Sequence, residues 1–116
     1  MENSKRFKKY SLEFEHADDA PYDDFDKHNV TAYDKEGNDV GRFDWDIDTG
    51  AIDVEVDKEH RRKGLATAMY KFGKKKAKDH DIQKPLLNRS RYGHQGLAWA
   101  RSLGYKGGHN NRLDDK

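Results

Sequence analysis

An α/β fold with its sheet first and its helices last is predicted by three observations. Short apolar–polar alternations recur from Tyr10 to Val56, each closed by turn residues, which is the period of half-buried strands. From about Arg62 the apolar spacing lengthens to that of an amphipathic helix. The chain has 116 residues and no cysteine, enough for one small domain without a disulfide frame. The expected architecture is a mostly antiparallel twisted sheet, a helix after the fourth strand and a second, C-terminal helix. One domain spans 1–116, with 1–9 and 106–116 as loose termini.

Tyr10-Ser11-Leu12-Glu13-Phe14-Glu15 alternates and opens the sheet. Ala17 to Lys27 is acidic and contains Pro21, so it reads as a loop. Asn29 to Tyr33 is the second strand. Lys35-Glu36-Gly37-Asn38 is a hairpin turn, because Gly and Asn tolerate positive φ. Val40 to Ile47 alternates most regularly of all, and Asp48-Thr49-Gly50 turns the chain into a fourth strand over Ala51–Val56. Hairpin connections throughout imply an antiparallel meander. Arg62 to Lys78 is helical, with Leu65, Met69 and Phe72 as its buried stripe. Gly73 sits inside that helix at a cost of about 1 kcal/mol relative to alanine. Pro85-Leu86-Leu87-Asn88 reads as a short buried strand. Gln95 to Leu103 is the second helix, with Leu97 and Ala98 inward and Gly104 ending it.

Only 33% of residues are hydrophobic and 39% are charged, so the core is thin. The net charge of +1 conceals a division: residues 1–60 hold 8 Lys/Arg and 18 Asp/Glu, residues 61–116 hold 15 and 4. Such halves imply a dipolar surface or partners of opposite sign, unless they neutralise one another across the fold. No apolar run is long enough to span a membrane, and residues 1–5 lack the apolar stretch of a secretory signal, so a cytoplasmic location is expected. The six histidines never pair with acids at metal-ligand spacing, and no metal is expected. Lys71, Lys74, Lys75, Lys76 and Lys78 form a basic helix face. It reads as a solvated face, since no aromatic residues interleave it; a nucleic-acid contact is the alternative. Trp45 and Trp99 read as core or pocket lining.

The densest chemical signal lies where the last strand meets the first helix. Val54 and Val56 end a strand, a charged turn follows, and Gly64 opens a helix beside Arg61, Arg62 and Lys63. A helix N-terminus carries unpaired N–H groups and the positive end of the dipole. Glycine there lets an anion approach the backbone, so the corner is suited to gripping phosphate.

Arg61-x-x-Gly64-x-Ala66 resembles the acyl-CoA signature of the GNAT superfamily of N-acetyltransferases, Q/R-x-x-G-x-G/A. Its context fits: a strand precedes it, an amphipathic helix follows, and Ala98-Trp99-Ala100-Arg101-Ser102-Leu103-Gly104-Tyr105 resembles the family's late helix ending in a Gly-aromatic step. The match covers roughly residues 28–105. It implies acetyl-CoA as cofactor, with its pyrophosphate on the main-chain N–H groups of the signature loop and its pantetheine arm along the strand edge. The cofactor-binding residues so implied are Val54, Val56, Arg61, Arg62, Lys63, Gly64, Leu65, Ala66, Thr67 and Asn88, the last resembling the polar residue where the following strand splays away.

The resemblance also implies departures. The tyrosine that many members place four residues before the Gly-aromatic step is Ala100 here, and the strand positions of the usual glutamate or histidine are Ile52 and Gly50. Candidates for proton transfer are therefore Glu55, Asp48, His94 and Tyr92. Strand alternation turns Asp53 and Glu55 away from the face of Val54 and Val56, Asp46 and Asp48 sit at a turn, and His94 precedes the last helix. Without these, proximity and electrostatics can still carry the reaction. The expected activity is direct transfer of an acetyl group to a primary amine of a cationic acceptor, a lysine, a protein N-terminus or a polyamine, drawn by the acidic half. No covalent enzyme intermediate is expected, since cysteine is absent. The alternatives are a non-catalytic CoA-binding or protein-interaction module of the same fold, and a small nucleic-acid-binding protein using the basic helix.

Overall fold

The computed structural model describes residues 3–17, 27–89, 92 and 94–105. Five strands, β1 (Ser4–Phe7), β2 (Tyr10–Glu15), β3 (Lys27–Tyr33), β4 (Asp39–Asp46) and β5 (Ile52–Val56), form one sheet in the order of the chain. Every neighbouring pair is antiparallel, so the sheet is the expected meander. Helix α1 (Leu65–His80) follows β5, and α2 (His94–Ser102) closes the described chain.

Register decides which residues share a face. Phe14 lies opposite Val30, Val30 opposite Phe43 and Phe43 opposite Val54, which makes one apolar row across four strands. Leu12, Ala32, Gly41 and Val56 form the next row on the same side. α1 lies across this face and buries Leu65, Met69, Phe72 and Ala77 against it. The other face carries Glu13, Glu15, Asn29, Thr31, Arg42, Asp44, Asp53 and Glu55, because strand residues alternate sides. Among the described residues, no helix covers it.

The turns bear out the sequence chemistry. The Asp34 carboxylate accepts the N–H groups of Glu36 and Asn38 at 2.9 and 2.8 Å. That of Asp46 accepts the N–H groups of Asp48 and Thr49 at 2.7 and 2.9 Å. These bonds favour the ionised carboxylates and hold both below the ordinary range.

Five local expectations need correction. Residues 4–7 are not a loose terminus: they form β1, paired with Tyr10–Glu13, even though two of the four, Lys5 and Arg6, are cationic. The helix therefore follows the fifth strand rather than the fourth. Pro85–Asn88 is not a strand; Leu86 donates its N–H to the Gly50 carbonyl at 2.8 Å, and a 3₁₀ turn occupies Leu87–Arg89. Lys76 does not belong to a solvated basic face. It falls on the buried stripe of α1, 4.0 Å from the Asp79 carboxylate, with its ammonium 5.7 Å from the Phe72 ring centre. In α2 Ala100 is buried and Ala98 is exposed.

Gly73 has a packing reason. A Cβ there would lie 2.9 Å from Cζ3 of Trp45, whose ring crosses under the helix. The indole is wholly buried and donates its N–H to the Gln83 carbonyl at 2.6 Å, so it cannot swing aside.

Candidate acyl-CoA site

The corner between β5 and α1 is built by two left-handed residues. After the 3₁₀ turn Lys58–His60, Arg62 has φ +62° and Gly64 has φ +80°. Glycine takes that conformation freely, whereas a residue with a Cβ does so at about 1–2 kcal/mol. The reversal aims the first turn of α1 into the open. No side chain caps that turn and no acidic residue lies within it. Its N–H groups thus keep their capacity for an acceptor from outside, with the helix dipole behind them. Lys58, Arg61 and Arg62 stand around the same opening.

From this corner a cleft of about 1260 Å³ runs along β5. Among the described residues β5 is an edge strand, paired only with β4. Asp57 donates to the Val40 carbonyl at 2.9 Å and Asp46 to the Ala51 carbonyl at 3.0 Å, which fixes the phase of the ladder. By alternation the main-chain groups of Asp53 and Glu55 face β4, and those of Val54 and Val56 face the cleft. The Val56 carbonyl is already taken, accepting from Nε of Arg61 at 2.9 Å. That bond ties the first signature residue to the strand. The N–H and C=O of Val54 and the N–H of Val56 remain directed into the cleft.

α2 forms the far wall. A Cβ on Gly96 would lie 3.4 Å from the Tyr92 ring and 3.9 Å from Val54, so glycine there leaves the channel its width. Trp99 donates its indole N–H to Oγ1 of Thr67 at 2.9 Å, bridging the second helix to the first turn of α1. Its ring packs edge-on against Phe43, Tyr70 and Tyr92.

Of the residues singled out from sequence, Val54, Val56, Arg61, Arg62, Gly64, Leu65, Ala66 and Thr67 all line this cleft. Lys63 and Asn88 do not. Lys63 is exposed, and its carbonyl accepts from the Lys8 ammonium at 3.2 Å; Asn88 sits exposed on the 3₁₀ turn. The proton-transfer candidates are scattered. Asp48 lies exposed in the β4–β5 turn, away from the cleft. Glu55 borders the cleft, yet its carboxylate is on the opposite face of the sheet, 3.6 Å from Arg42. His94 opens α2, and its side chain lies outside what is described. Tyr92 lines the cleft and donates its hydroxyl to the Leu87 carbonyl at 2.8 Å. Ala100, where a family tyrosine would stand, is completely buried, so that position faces the core and not the channel.

Sequence reasoning missed His60. Its ring lines the cleft and shares a 2.8 Å hydrogen bond between Nδ1 and the hydroxyl of buried Tyr10. Burial chiefly, and then the nearby Asp34 charge, push the Tyr10 phenol above its ordinary value, so it stays protonated at neutral pH. The two residues are 50 positions apart, and no local pattern announces their meeting. The only signal was the histidine beside the signature itself.

The model of the acetyltransferase (GNAT) family matches residues 6–105. Comparison with curated proteins and with solved structures finds no match.

Proposed function

The chain belongs to the acetyltransferase (GNAT) family, and from that premise we propose that it transfers the acetyl group of acetyl-CoA directly to a primary amine of a basic acceptor. The observation that carries this reading is one continuous channel with two kinds of grip. At one end stand an uncapped helix N-terminus and three cations, suited to pyrophosphate. Along its length runs the open main-chain edge at Val54, suited to an amide-bearing arm that adds like a strand. Trp99 and Tyr92 line its other side.

In the reaction the amine nitrogen forms a bond to the thioester carbonyl carbon, and the carbon–sulfur bond breaks. The thiolate leaves, and the ammonium proton passes to solvent. The chain's contribution is to hold the thioester at a fixed depth and to present it to an amine arriving by the acidic surface. The acceptor class rests on charge: the first 60 residues carry the acidic excess, which attracts a lysine side chain, a protein N-terminus or a polyamine.

A second reading has specific support. Glu55 is turned to the far face, the Tyr92 hydroxyl is engaged by a carbonyl, and Ala100 is buried. A module that grips CoA without chemistry fits those facts. Calorimetric titration with acetyl-CoA, followed by thiol-release assays over a panel of amines, decides both points. Saturable binding with thiol release above the uncatalysed rate supports the enzyme. Binding without release leaves the non-catalytic module, and the absence of binding refutes the channel's assignment. Equal rates on cationic and neutral amines, unchanged by salt, would refute the charge argument.

A further inference from the structure

At the edge of the sheet far from the channel strand, β1 pairs with β2 alone among the described residues. The Phe14 N–H donates to the Asn3 carbonyl at 2.7 Å, which fixes the phase of this ladder. By alternation Lys5 and Phe7 spend their main-chain groups on Leu12 and Tyr10. Those of Ser4 and Arg6 point outward, and among the described residues they have no hydrogen-bond partner.

The side chains of Lys5 and Phe7 stand on the α1 side of the sheet, level with Leu12 and Tyr10. There a groove of about 640 Å³ separates the β1–β2 hairpin from α1. Its floor is apolar, made by Phe7, Leu12, Ala68 and Phe72. Its rim is cationic, made by Lys5 and Lys8 from the hairpin and Lys71 and Lys75 from the helix, and no carboxylate lines it. Lys8 is occupied with the Lys63 carbonyl at 3.2 Å, and Lys75 pairs with Asp79 at 3.2 Å. Lys5 and Lys71 have no ion-pair partner among the described residues.

An open strand edge beside an apolar trough suits an extended segment that adds as one more strand. Its main chain bonds to the edge, and alternate side chains enter the trough. Charge selects the segment. Lys5, Arg6, Lys8 and Lys9 make this edge cationic, so a second copy of the edge is repelled and a carboxylate-bearing chain is attracted. Cross-strand pairing then sets the pattern: an apolar side chain over Phe7, and carboxylates beside Lys5 and Arg6. A single-stranded nucleic acid fits less well. Of the two rings in the floor Phe72 is buried, so successive bases find no stacking platform.

We propose that β1 and the adjoining groove dock an extended acidic segment of a partner protein by strand addition. The open main-chain groups of Ser4 and Arg6 take its backbone, the groove takes an apolar side chain, and Lys5 and Lys71 take its carboxylates. The proposal stands on this edge alone and does not depend on the chemistry of the channel.

The test is fluorescence anisotropy of the full chain with a labelled peptide, Glu-Glu-Val-Glu-Val-Glu-Glu. Saturable binding is expected. The same peptide with lysine in place of glutamate is expected to bind at least about tenfold more weakly. In the Lys5→Glu, Lys71→Glu double variant the acidic peptide is expected to lose about tenfold or more. Both lysines are exposed, so an unaltered melting temperature will accompany that loss. Two further peptides are N-methylated on alternate residues, one in each frame. An added strand turns only one frame toward β1, so one methylated peptide is expected to lose roughly tenfold and the other to retain binding. Absence of binding by the acidic peptide would overturn the proposal, as would equal binding of the lysine peptide. Equal affinity of the two methylated peptides would refute strand addition. Displacement of the acidic peptide by a single-stranded oligonucleotide at lower concentration than by the unlabelled peptide would overturn the choice of partner.

Discussion

Replacing Gly64 separates two roles that this residue combines, its backbone angle and its nearness to a bound anion. At φ +80° any residue with a Cβ bears about 1–2 kcal/mol of strain. No clash adds to that, because the nearest atom to a built Cβ is Cζ of Phe7 at 3.5 Å, an ordinary contact. Gly64→Ala and Gly64→Glu thus share one stability penalty, equivalent to a drop of about 4 °C in melting temperature per kcal/mol for a chain of this size. The glutamate is the milder of the two by about 0.3–1 kcal/mol, since a negative charge at a helix N-terminus is favourable. Binding should reverse that order. A carboxylate about 4 Å from a phosphate is unfavourable by roughly 1–4 kcal/mol between the limits of bulk water and protein surface. Gly64→Glu should therefore bind acetyl-CoA about five- to a thousandfold more weakly than Gly64→Ala while unfolding at a slightly higher temperature. Scanning calorimetry and isothermal titration on the same preparations supply both readings. Equal affinity in the two variants would refute the placement of phosphate at this helix, whatever their stabilities.

Two further outcomes concern the fold and its pH dependence. Gly73→Ala gains about 1 kcal/mol of helix propensity but sets a methyl 2.9 Å from an immobile indole, and overpacking of that kind costs typically 1–3 kcal/mol. A net destabilisation in urea titration is expected; a stabilised variant would mean that Trp45 yields. The depressed carboxyls of Asp34 and Asp46 stabilise the fold above their unfolded pKa and lose that contribution as pH falls through their lower folded values. Melting temperature should therefore decline on the acid side of the ordinary carboxylate range, and Asp46→Asn should flatten the decline. An identical acid limb in that variant would show the turn bonds to be inconsequential.

Strands β2 to β5 were legible because alternation and hairpin residues are local signals, and so was the cleft lining from Arg61 to Thr67, Lys63 apart, whose members are nearly contiguous. What could not be read depends on distant partners. β1 is a strand of Ser, Lys, Arg and Phe that exists because Tyr10–Glu13 offers it a ladder. Leu86 and Leu87 have strand-like composition, yet they belong to none of the described strands, and the Leu86 N–H instead docks the loop on the Gly50 carbonyl. Gly73 looked like a defect until Trp45 was placed beneath it. The wall facing Val54 was equally hidden: Trp99 and Thr67 are separated by 32 positions and meet only because both helices share one face of the sheet. The buried position of Ala100 follows from the same packing.

The two tryptophans divide the optical properties of the protein between its interior and its channel. Trp45 is sealed beneath α1, fully buried, and its emission will stay blue until the sheet itself opens. Trp99 stands in the channel wall with its N–H on Thr67, so quenching or a spectral shift from that ring reports what enters beside it. A single sample excited at one wavelength therefore carries separate signals for occupancy and for unfolding, and a Trp99→Phe variant isolates the second.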